Sequence, residues 1–292
     1  MNDVARGIDH IAHGVRDIDA AAEFYRRAGF IVSARNVHPP VWGTQNHIVQ
    51  LHGCYIEILA QADMSATAPH GPQYFSFGAF ARDFLAKNEG LAMLALQGSG
   101  APDAGEFRAS GIGDFELFEF ARLGTRPDGT PVKLAFSLAF ARDPKAPDVG
   151  FFSCRHHHPE NFWNPEFQKH SNGVTNVVGI VFVAERPDDH RAFFASFSGS
   201  NEIREASSGI AFGIPGGEIA VITPAAFREC FGTEPPDTRN GARLAALRLG
   251  VRDFNAAQEM FSRVNLSASL RNGRLIIGPK AAFGATLVFE RI

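Results

Sequence analysis

The feature that most constrains the fold is an internal repeat near the two ends of the chain. Residues 14–35, GVRDIDAAAEFYRRAGFIVSAR, align without a gap with residues 250–271, GVRDFNAAQEMFSRVNLSASLR, and 10 of the 22 positions are identical. Self-similarity of this kind indicates one supersecondary unit used more than once. We therefore expect a fold built from copies of one small unit.

Both copies show the same order of local signals. An apolar strand comes first, and Asp17 or Asp253 can then accept hydrogen bonds from the first free amides of a helix. Apolar residues recur at helical spacing, and Gly29 or Asn265 suits the left-handed residue that closes a helix. Strand-like segments with glycine turn signals follow, beginning in the first copy with residues 31–35. The predicted unit is therefore β-α-β-β-β.

Two weaker copies lie between these, beginning at Gly90 (GLAMLALQ) and Gly173 (GVTNVVGIVFV). A β-α-β-β-β unit leaves one face of a curved sheet uncovered, so two units can close around each other and leave a ligand cleft. The predicted fold class is α+β, with four βαβββ modules forming two paired sheet clefts. Residues 1–158 and 173–292 are the predicted module pairs, and the polar, proline-bearing residues 159–172 are the predicted linker.

Composition and charge exclude several classes of partner. The formal net charge is −3 with both signs spread along the chain, which argues against nucleic acid or an anionic membrane as a partner. No apolar run approaches the roughly 18 residues of a membrane span, and the polar N-terminus is unlike a secretory signal. Three distant cysteines fit a reducing compartment. We expect a cytoplasmic protein that binds a small-molecule substrate, with a homodimer left open.

The most prominent polar cluster is three consecutive histidines in FFSCRHHHPENFW, residues 151–163. Side chains alternate across a strand, so an extended segment puts His156 and His158 on one face and His157 on the other. The three histidines cannot all point inward. A site on the inner face would therefore use His156 or His158.

Several stretches carry a resemblance to a known superfamily. DHIAHGVRDIDAAAEFYRRAGF followed by YIEIL resembles the first module of the vicinal-oxygen-chelate superfamily, which includes glyoxalase I, extradiol dioxygenases and fosfomycin-resistance proteins. GTQNHIVQLHGCYIEILA with FFSCRHHHPENFWNPEFQKHSNG is similar, more closely, to the bacterial glyoxalase-like domain group. The resemblance is good over residues 7–60 and 150–175. It implies one divalent metal ion, held in the cleft by side chains from the first and last strands of a module.

Carried over residue by residue, the resemblance implies two ligands in the first module. His10 falls at the first-strand position and Glu57 at the last-strand position. Glu57 also lies among apolar neighbours, where an unpaired carboxylate would be costly, so it should be ligated or paired. The alternatives without a metal are that His10 is a hydrogen-bonded core histidine and that Glu57 is a salt-bridged residue at the end of a strand.

The second module departs from the pattern. Met93 falls at the first-strand position, and methionine is a poor ligand for a hard divalent ion. Cys154 falls opposite Glu57, and the resemblance favours its neighbour His156 as the third ligand, with His158 as the alternative.

The C-terminal pair lacks ligand residues at the matching positions, so we expect no metal site there. Glu218 and Glu290 are nevertheless within two residues of those positions. The positions themselves are occupied by Asn176, Ala220, Ala246 and Val288.

Two histidines and a carboxylate suit Fe(II), Zn, Mn or Ni with coordination positions open for substrate. The leading hypothesis is a metal-dependent enzyme whose small substrate chelates through adjacent oxygens. The reaction would be isomerase- or lyase-type proton transfer, or ring-opening oxygenation of the extradiol type. Glu57 is the candidate catalytic base, because the resemblance to glyoxalase I implies that a metal-bound carboxylate takes that role. The alternative is a binding or sequestering protein of the same fold without catalysis.

Overall fold

The computed structural model describes residues 5–125 and 129–292, and it forms two eight-stranded mixed sheets. The predicted α+β fold class with paired modules is confirmed. The first sheet contains β1 (Ile8–Gly14), β2 (Asn36–Val37), β3 (Thr44–Gln50), β4 (Tyr55–Gln61), β5 (Gly90–Gln97), β6 (Phe118–Thr125), β7 (Pro131–Ala141) and β8 (Gly150–His156). The second contains β9 (Val174–Val183), β10 (Ile203–Ala206), β11 (Gly209–Ile214), β12 (Gly217–Ile222), β13 (Arg243–Val251), β14 (Ser269–Arg271), β15 (Arg274–Ile277) and β16 (Thr286–Arg291).

The two sheets have the same strand order, which is the order expected for paired modules. It is β2-β3-β4-β1-β5-β8-β7-β6 in the first sheet and β10-β11-β12-β9-β13-β16-β15-β14 in the second. In each module the first strand runs parallel to the last, as β1 does to β4 and β5 to β8. The first strands of the two modules pair antiparallel at the centre of each sheet, so both modules contribute side chains to one inner face.

Seven helices in the described residues connect these strands. They are α1 (Ile18–Arg27), α2 (Phe77–Lys87), α3 (Ala101–Ala109), α4 (Pro159–Phe162), α5 (Arg191–Ser198), α6 (Pro224–Phe231) and α7 (Phe254–Arg263). None of them is long and apolar enough to cross a membrane.

The helix signals predicted from the repeat are confirmed at both ends of α1 and α7. The side chain of Asp17 accepts a hydrogen bond from the amide of Ala20 at 3.0 Å, and Asp253 caps α7 in the same way. Gly29 has a φ of 84° and Asn265 a φ of 50°, so both adopt the left-handed conformation that ends a helix.

The predicted strand at residues 31–35 is wrong, because these residues form no strand and β2 begins only at Asn36. Ser33 explains the difference. Its hydroxyl oxygen accepts a hydrogen bond from the amide of Ile48 at 2.8 Å, and its amide donates to the carbonyl of Ile48 at 2.9 Å. When a side chain replaces a main-chain group as a hydrogen-bond partner of the neighbouring strand, regular strand pairing begins later in the sequence.

Helices α2 and α6 join the modules within each pair and were not expected from the sequence. Both begin with an N-cap: Ser76 accepts from the amide of Ala79 at 3.1 Å, and Thr223 accepts from the amide of Ala226 at 3.2 Å. Their apolar faces pack with the inner faces of the two sheets. Each cleft is therefore partly filled by a helix of its own module pair.

The outer faces of the two sheets and the helices between them bury one shared core. Phe151 of the first sheet stacks on Phe182 of the second, with ring centroids 5.8 Å apart. Residues 159–172 run between the sheets as α4 and a 3-10 turn at Pro165–Gln168. Gln50 holds this segment over the first cleft, because its side chain donates to the carbonyl of Phe162 and accepts from the amide of Asn164. The division into two domains with a linker stays a prediction.

Candidate active site

The inner face of the first sheet encloses a cavity of about 60 Å³. Its walls are mostly aromatic, and its few polar groups come from β1, β3, β4, β6 and β8 and from His38, which follows β2. The lining includes His10, Asn46, Glu57, Phe120, Arg122 and Cys154. A small number of polar groups converging in an apolar cleft is the usual composition of a ligand site.

His10 is held rigidly at the edge of this cavity. Its Nδ1 donates a hydrogen bond to Oδ1 of Asp9 at 2.5 Å, and its ring stacks on Tyr55 with centroids 4.4 Å apart. The edge of Phe152 closes the other side at 5.2 Å. The carboxylate leaves Nε2 as the nitrogen able to bind in the cavity, and metal-binding histidines are commonly oriented in this way.

Oδ1 of Asp9 also accepts a hydrogen bond from Nε2 of His156 at 3.4 Å, and the same nitrogen lies 3.1 Å from Oδ2. Burial raises the pKa of the Asp9 carboxyl, but hydrogen bonds from His10 and His156 outweigh it and hold that pKa below its ordinary value. The carboxylate is therefore charged and bridges two imidazoles from the first strand of one module and the last strand of the other.

His156 is buried in an aromatic enclosure beside this bridge. Trp163 stacks on its ring at 5.8 Å, and Phe136 and Phe162 meet it edge-on at 4.8 and 4.9 Å. Its Nδ1 is buried and has no hydrogen-bond partner in the described part of the chain. An orphaned buried nitrogen of this kind calls for a water, ligand or ion.

The other two histidines of the triplet lie elsewhere, His157 because side chains alternate along the strand and His158 because β8 ends at His156. Nε2 of His157 shares a hydrogen bond with the hydroxyl of Ser137 at 2.7 Å, on the solvent side of the sheet. His158 follows the end of β8, with its side chain 38% exposed and its Nδ1 3.6 Å from Glu160. The structure therefore places only His156 next to the residues of the first module.

Glu57 lies on the same cavity wall as His10 and is buried. The side-chain amide of Asn46 donates to its Oε1 at 2.5 Å, and Nε2 of His38 is 3.8 Å from the same oxygen. Burial lowers the pKa of His38, so this neighbour is a neutral imidazole near pH 7. The carboxylate is thus fixed through one oxygen by neutral groups.

Of the three predicted ligands, His10 and Glu57 line one cavity, and His156 joins His10 through Asp9. Among the described residues, ligand atoms of Asp9, His10 and Cys154 all lie within 4.8 Å of one another, and those of the predicted set His10, Glu57 and His156 do not. Burial raises the pKa of the Cys154 thiol well above its ordinary value, so the free protein holds a neutral thiol there. His10 belongs to both sets, and the identity of the remaining ligands stays a prediction.

Two residues of the candidate site, Asp9 and Arg122, were not predicted from the sequence. Strand alternation would turn Asp9 away from His10, but a β-bulge between Ile8 and His10 brings neighbouring side chains to one site, and nothing in the sequence marks it. Arg122 faces the cavity from β6, where half-buried and exposed residues alternate. Its signal was present, since alternation puts Arg122 on the same face as Phe118 and Phe120.

The corresponding surface of the second sheet carries an ion-pair cluster. Arg248 donates through Nη2 to Glu290 at 2.7 Å and through Nη1 to Glu218. Arg274 binds the second oxygen of Glu290 at 2.7 Å. Both carboxylates that lie near ligand positions in the sequence are therefore neutralised by arginine.

Comparisons with known proteins agree with this geometry. A family profile described as a glyoxalase-like domain matches residues 8–197. No curated protein matches this sequence. Among solved structures, a hypothetical protein from Staphylococcus aureus superposes with a TM-score of 0.68 at 10% identity, covering 98% of this chain and 100% of its own.

Two enzymes with the same fold are also similar in structure. A mutant 4-hydroxymandelate synthase from Streptomyces coelicolor has a TM-score of 0.56 at 11% identity, over 99% of this chain and 93% of its own. A fusion of a xylose isomerase-like TIM barrel with 4-hydroxyphenylpyruvate dioxygenase has a TM-score of 0.53 at 10% identity, over 99% of this chain and 49% of its own. At these identities the likeness concerns the fold.

Proposed function

Because the chain belongs to the glyoxalase-like domain family of the vicinal-oxygen-chelate superfamily, we propose that it is a metal-dependent enzyme acting on a small substrate with adjacent oxygens. The observation that carries this proposal is the Asp9 carboxylate, which holds imidazoles from two modules beside a cavity that also contains Glu57. The reaction is isomerase- or lyase-type proton transfer, or oxygenation.

The donor types beside the cavity, imidazole and carboxylate, suit a divalent metal ion. His10, Glu57 and His156 would hold it, with Nε2 of His10 and the orphaned Nδ1 of His156 as the available nitrogens. Two imidazoles and one carboxylate leave coordination positions open. A bound divalent ion would supply Lewis-acid stabilisation of negative charge on a substrate oxygen.

The chain's own groups supply the rest of the chemistry. Asn46 fixes one oxygen of Glu57, so the other oxygen can accept a proton from a substrate carbon in the cavity. The aromatic walls exclude water and strengthen electrostatic interactions inside. Asp9 keeps both imidazoles in the orientation that directs their second nitrogens away from it.

Metal analysis of untagged protein, purified without added metal and in parallel under anaerobic conditions, tests the proposal. We expect close to one divalent ion per chain, lost in His10→Ala and kept in the matched control His52→Ala, because His52 is exposed. Iron would favour oxygenation, and zinc, nickel or manganese would favour isomerase-type chemistry. Sub-stoichiometric metal that His10→Ala leaves unchanged would overturn the proposal and favour a metal-free binding protein.

A further inference from the structure

Arg122 is a half-buried cation that faces the cleft. Along β6 the residues Phe118, Phe120, Arg122 and Gly124 are half-buried, and the residues between them are exposed. Its neighbour Phe120 packs against Trp42 and Phe136, with centroids 4.6 and 4.9 Å apart. The guanidinium therefore lies on the aromatic side of an edge strand.

This guanidinium has no hydrogen bond or ion pair with any residue in the described ranges, 5–125 and 129–292. Three other arginines of low exposure each have a carboxylate nearby: Arg6 binds Asp103 at 2.8 Å, Arg243 lies 3.9 Å from Asp148, and Arg248 binds Glu290. A partly desolvated charge without a counter-ion is costly. Burial also lowers the pKa of Arg122, against the opposing charge of Glu57.

Arg122 stands between two cavities. It lines the inner cavity of about 60 Å³ with His10 and Glu57, and it also lines an outer cavity of about 150 Å³. Among the described residues, only Ile48 and Phe162 are likewise shared by the two linings. A ligand that occupies both cavities would therefore contact the guanidinium.

The positive charge that lines the two cavities limits the kind of anion that can bind there. Among the lining residues of either cavity, Arg122 is the sole arginine or lysine in the described part of the chain. One guanidinium matches a single carboxylate through two parallel hydrogen bonds, whereas a phosphate dianion would need further cations.

We propose that Arg122 binds a carboxylate of the substrate, so that the substrate is a small carboxylic acid. The acid group lies at the junction of the cavities, and the oxygen-bearing end, of only a few heavy atoms, enters the inner cavity. The outer cavity takes the remaining, partly apolar portion beside Ile31 and Phe167. This inference rests on the proposed function of the same site and names its substrate class.

Matched pairs of acid and amide test the inference by calorimetry. The probes are lactate with lactamide and benzoate with benzamide, each titrated into metal-free and zinc-loaded protein. We expect at least one acid to bind the wild type about tenfold or more tightly than its amide. Arg122→Gln should reduce this preference to about twofold or less, and Arg122→Lys should keep part of it.

Control measurements separate this inference from the metal proposal. Arg239→Gln removes an equal charge at a side chain that is 89% exposed, and it should leave the preference unchanged. Metal content and thermal unfolding of each variant show whether the site and the fold are intact, and Arg122→Lys remains informative if Arg122→Gln unfolds. Preference for the acid in protein that binds no metal would count against the metal proposal alone. Equal binding of acid and amide by the wild type, no binding of either acid, or a preference that survives Arg122→Gln would overturn the role of Arg122.

Discussion

Asp9 and His10 are adjacent in the chain, yet both side chains are buried at one site, joined by a hydrogen bond of 2.5 Å. The β-bulge at the start of β1 makes this arrangement possible. The same carboxylate accepts a hydrogen bond from His156, so one residue positions the inner-face imidazoles of two modules. Asp9 is therefore a positioning residue of the candidate metal site.

Asp9→Asn is expected to weaken metal binding about 10- to 100-fold, because the imidazoles lose the charged acceptor that orients them. Competition with a chromogenic chelator measures the affinity. The exposed Asp63→Asn is the matched control and should bind metal as the wild type does. An unchanged affinity in folded Asp9→Asn would show that the bridge has no part in metal binding.

Glu57→Gln and Cys154→Ser distinguish the two donor sets that share His10. If Glu57 is a ligand, Glu57→Gln lowers the bound metal several-fold, since an amide oxygen is a weaker ligand than a carboxylate, and Cys154→Ser leaves it unchanged. Metal content after dialysis against a defined metal buffer is the measurement. The reverse pattern would assign the site to Asp9, His10 and Cys154.

The module order and helix caps could be predicted because they depend on local chemistry. Residue type and spacing alone predicted Asp17 as the residue that caps the start of α1 and Gly29 as the left-handed residue after its end, and the structure confirms both. The resemblance to the vicinal-oxygen-chelate superfamily implied that His10 and Glu57 meet at one site, and both line the same cavity.

What could not be predicted depends on contacts between distant segments or on local irregularities. Asp9 reaches the site through a bulge that has no sequence signature. Asn46 binds Glu57 from the neighbouring strand, and this contact depends on a pairing register that the sequence leaves open. The strand predicted at residues 31–35 does not form, because the Ser33 hydroxyl accepts the hydrogen bond from the amide of Ile48.

His13 makes the stability of the fold depend on pH. It is fully buried, its Nε2 donates to the carbonyl of Phe283 at 3.0 Å, and its Nδ1 accepts from the hydroxyl of Tyr25 at 2.9 Å. Burial lowers its pKa from 6.5 to about 4, despite the opposing effects of the Phe283 carbonyl and of Glu89. Between these two pH values the unfolded chain binds a proton that the folded chain does not.

The stability that neutral His13 contributes is therefore complete above about pH 6.5 and is lost as the pH falls toward 4, by up to about 3 kcal/mol. His13→Gln can keep both hydrogen bonds without titrating, so its free energy of unfolding should fall less over this range. Urea unfolding at several pH values measures the difference, with His52→Gln as an exposed control. Parallel pH curves for the wild type and His13→Gln would contradict the assignment.

Arg248 is expected to stabilise the second sheet by neutralising two carboxylates at once. Its side chain is 20% exposed, and those of Glu218 and Glu290 are 21% and 12% exposed, so removal of the guanidinium leaves poorly solvated negative charges close together. Arg274 still pairs with Glu290 and Arg204 with Glu218, which limits the loss. We expect Arg248→Met to lower the free energy of unfolding by about 2 kcal/mol, between the values typical of exposed and buried pairs.

Neutralising the carboxylates in the same background separates charge from packing. If uncompensated charge causes the loss, a triple variant that adds Glu218→Gln and Glu290→Gln to Arg248→Met should recover most of the lost stability of about 2 kcal/mol. Equilibrium urea unfolding of the wild type, the single variant and the triple variant measures this. A triple variant that is no more stable than Arg248→Met would mean that the arginine acts through its packed methylene groups, and the second sheet would then depend on shape rather than on charge at this position.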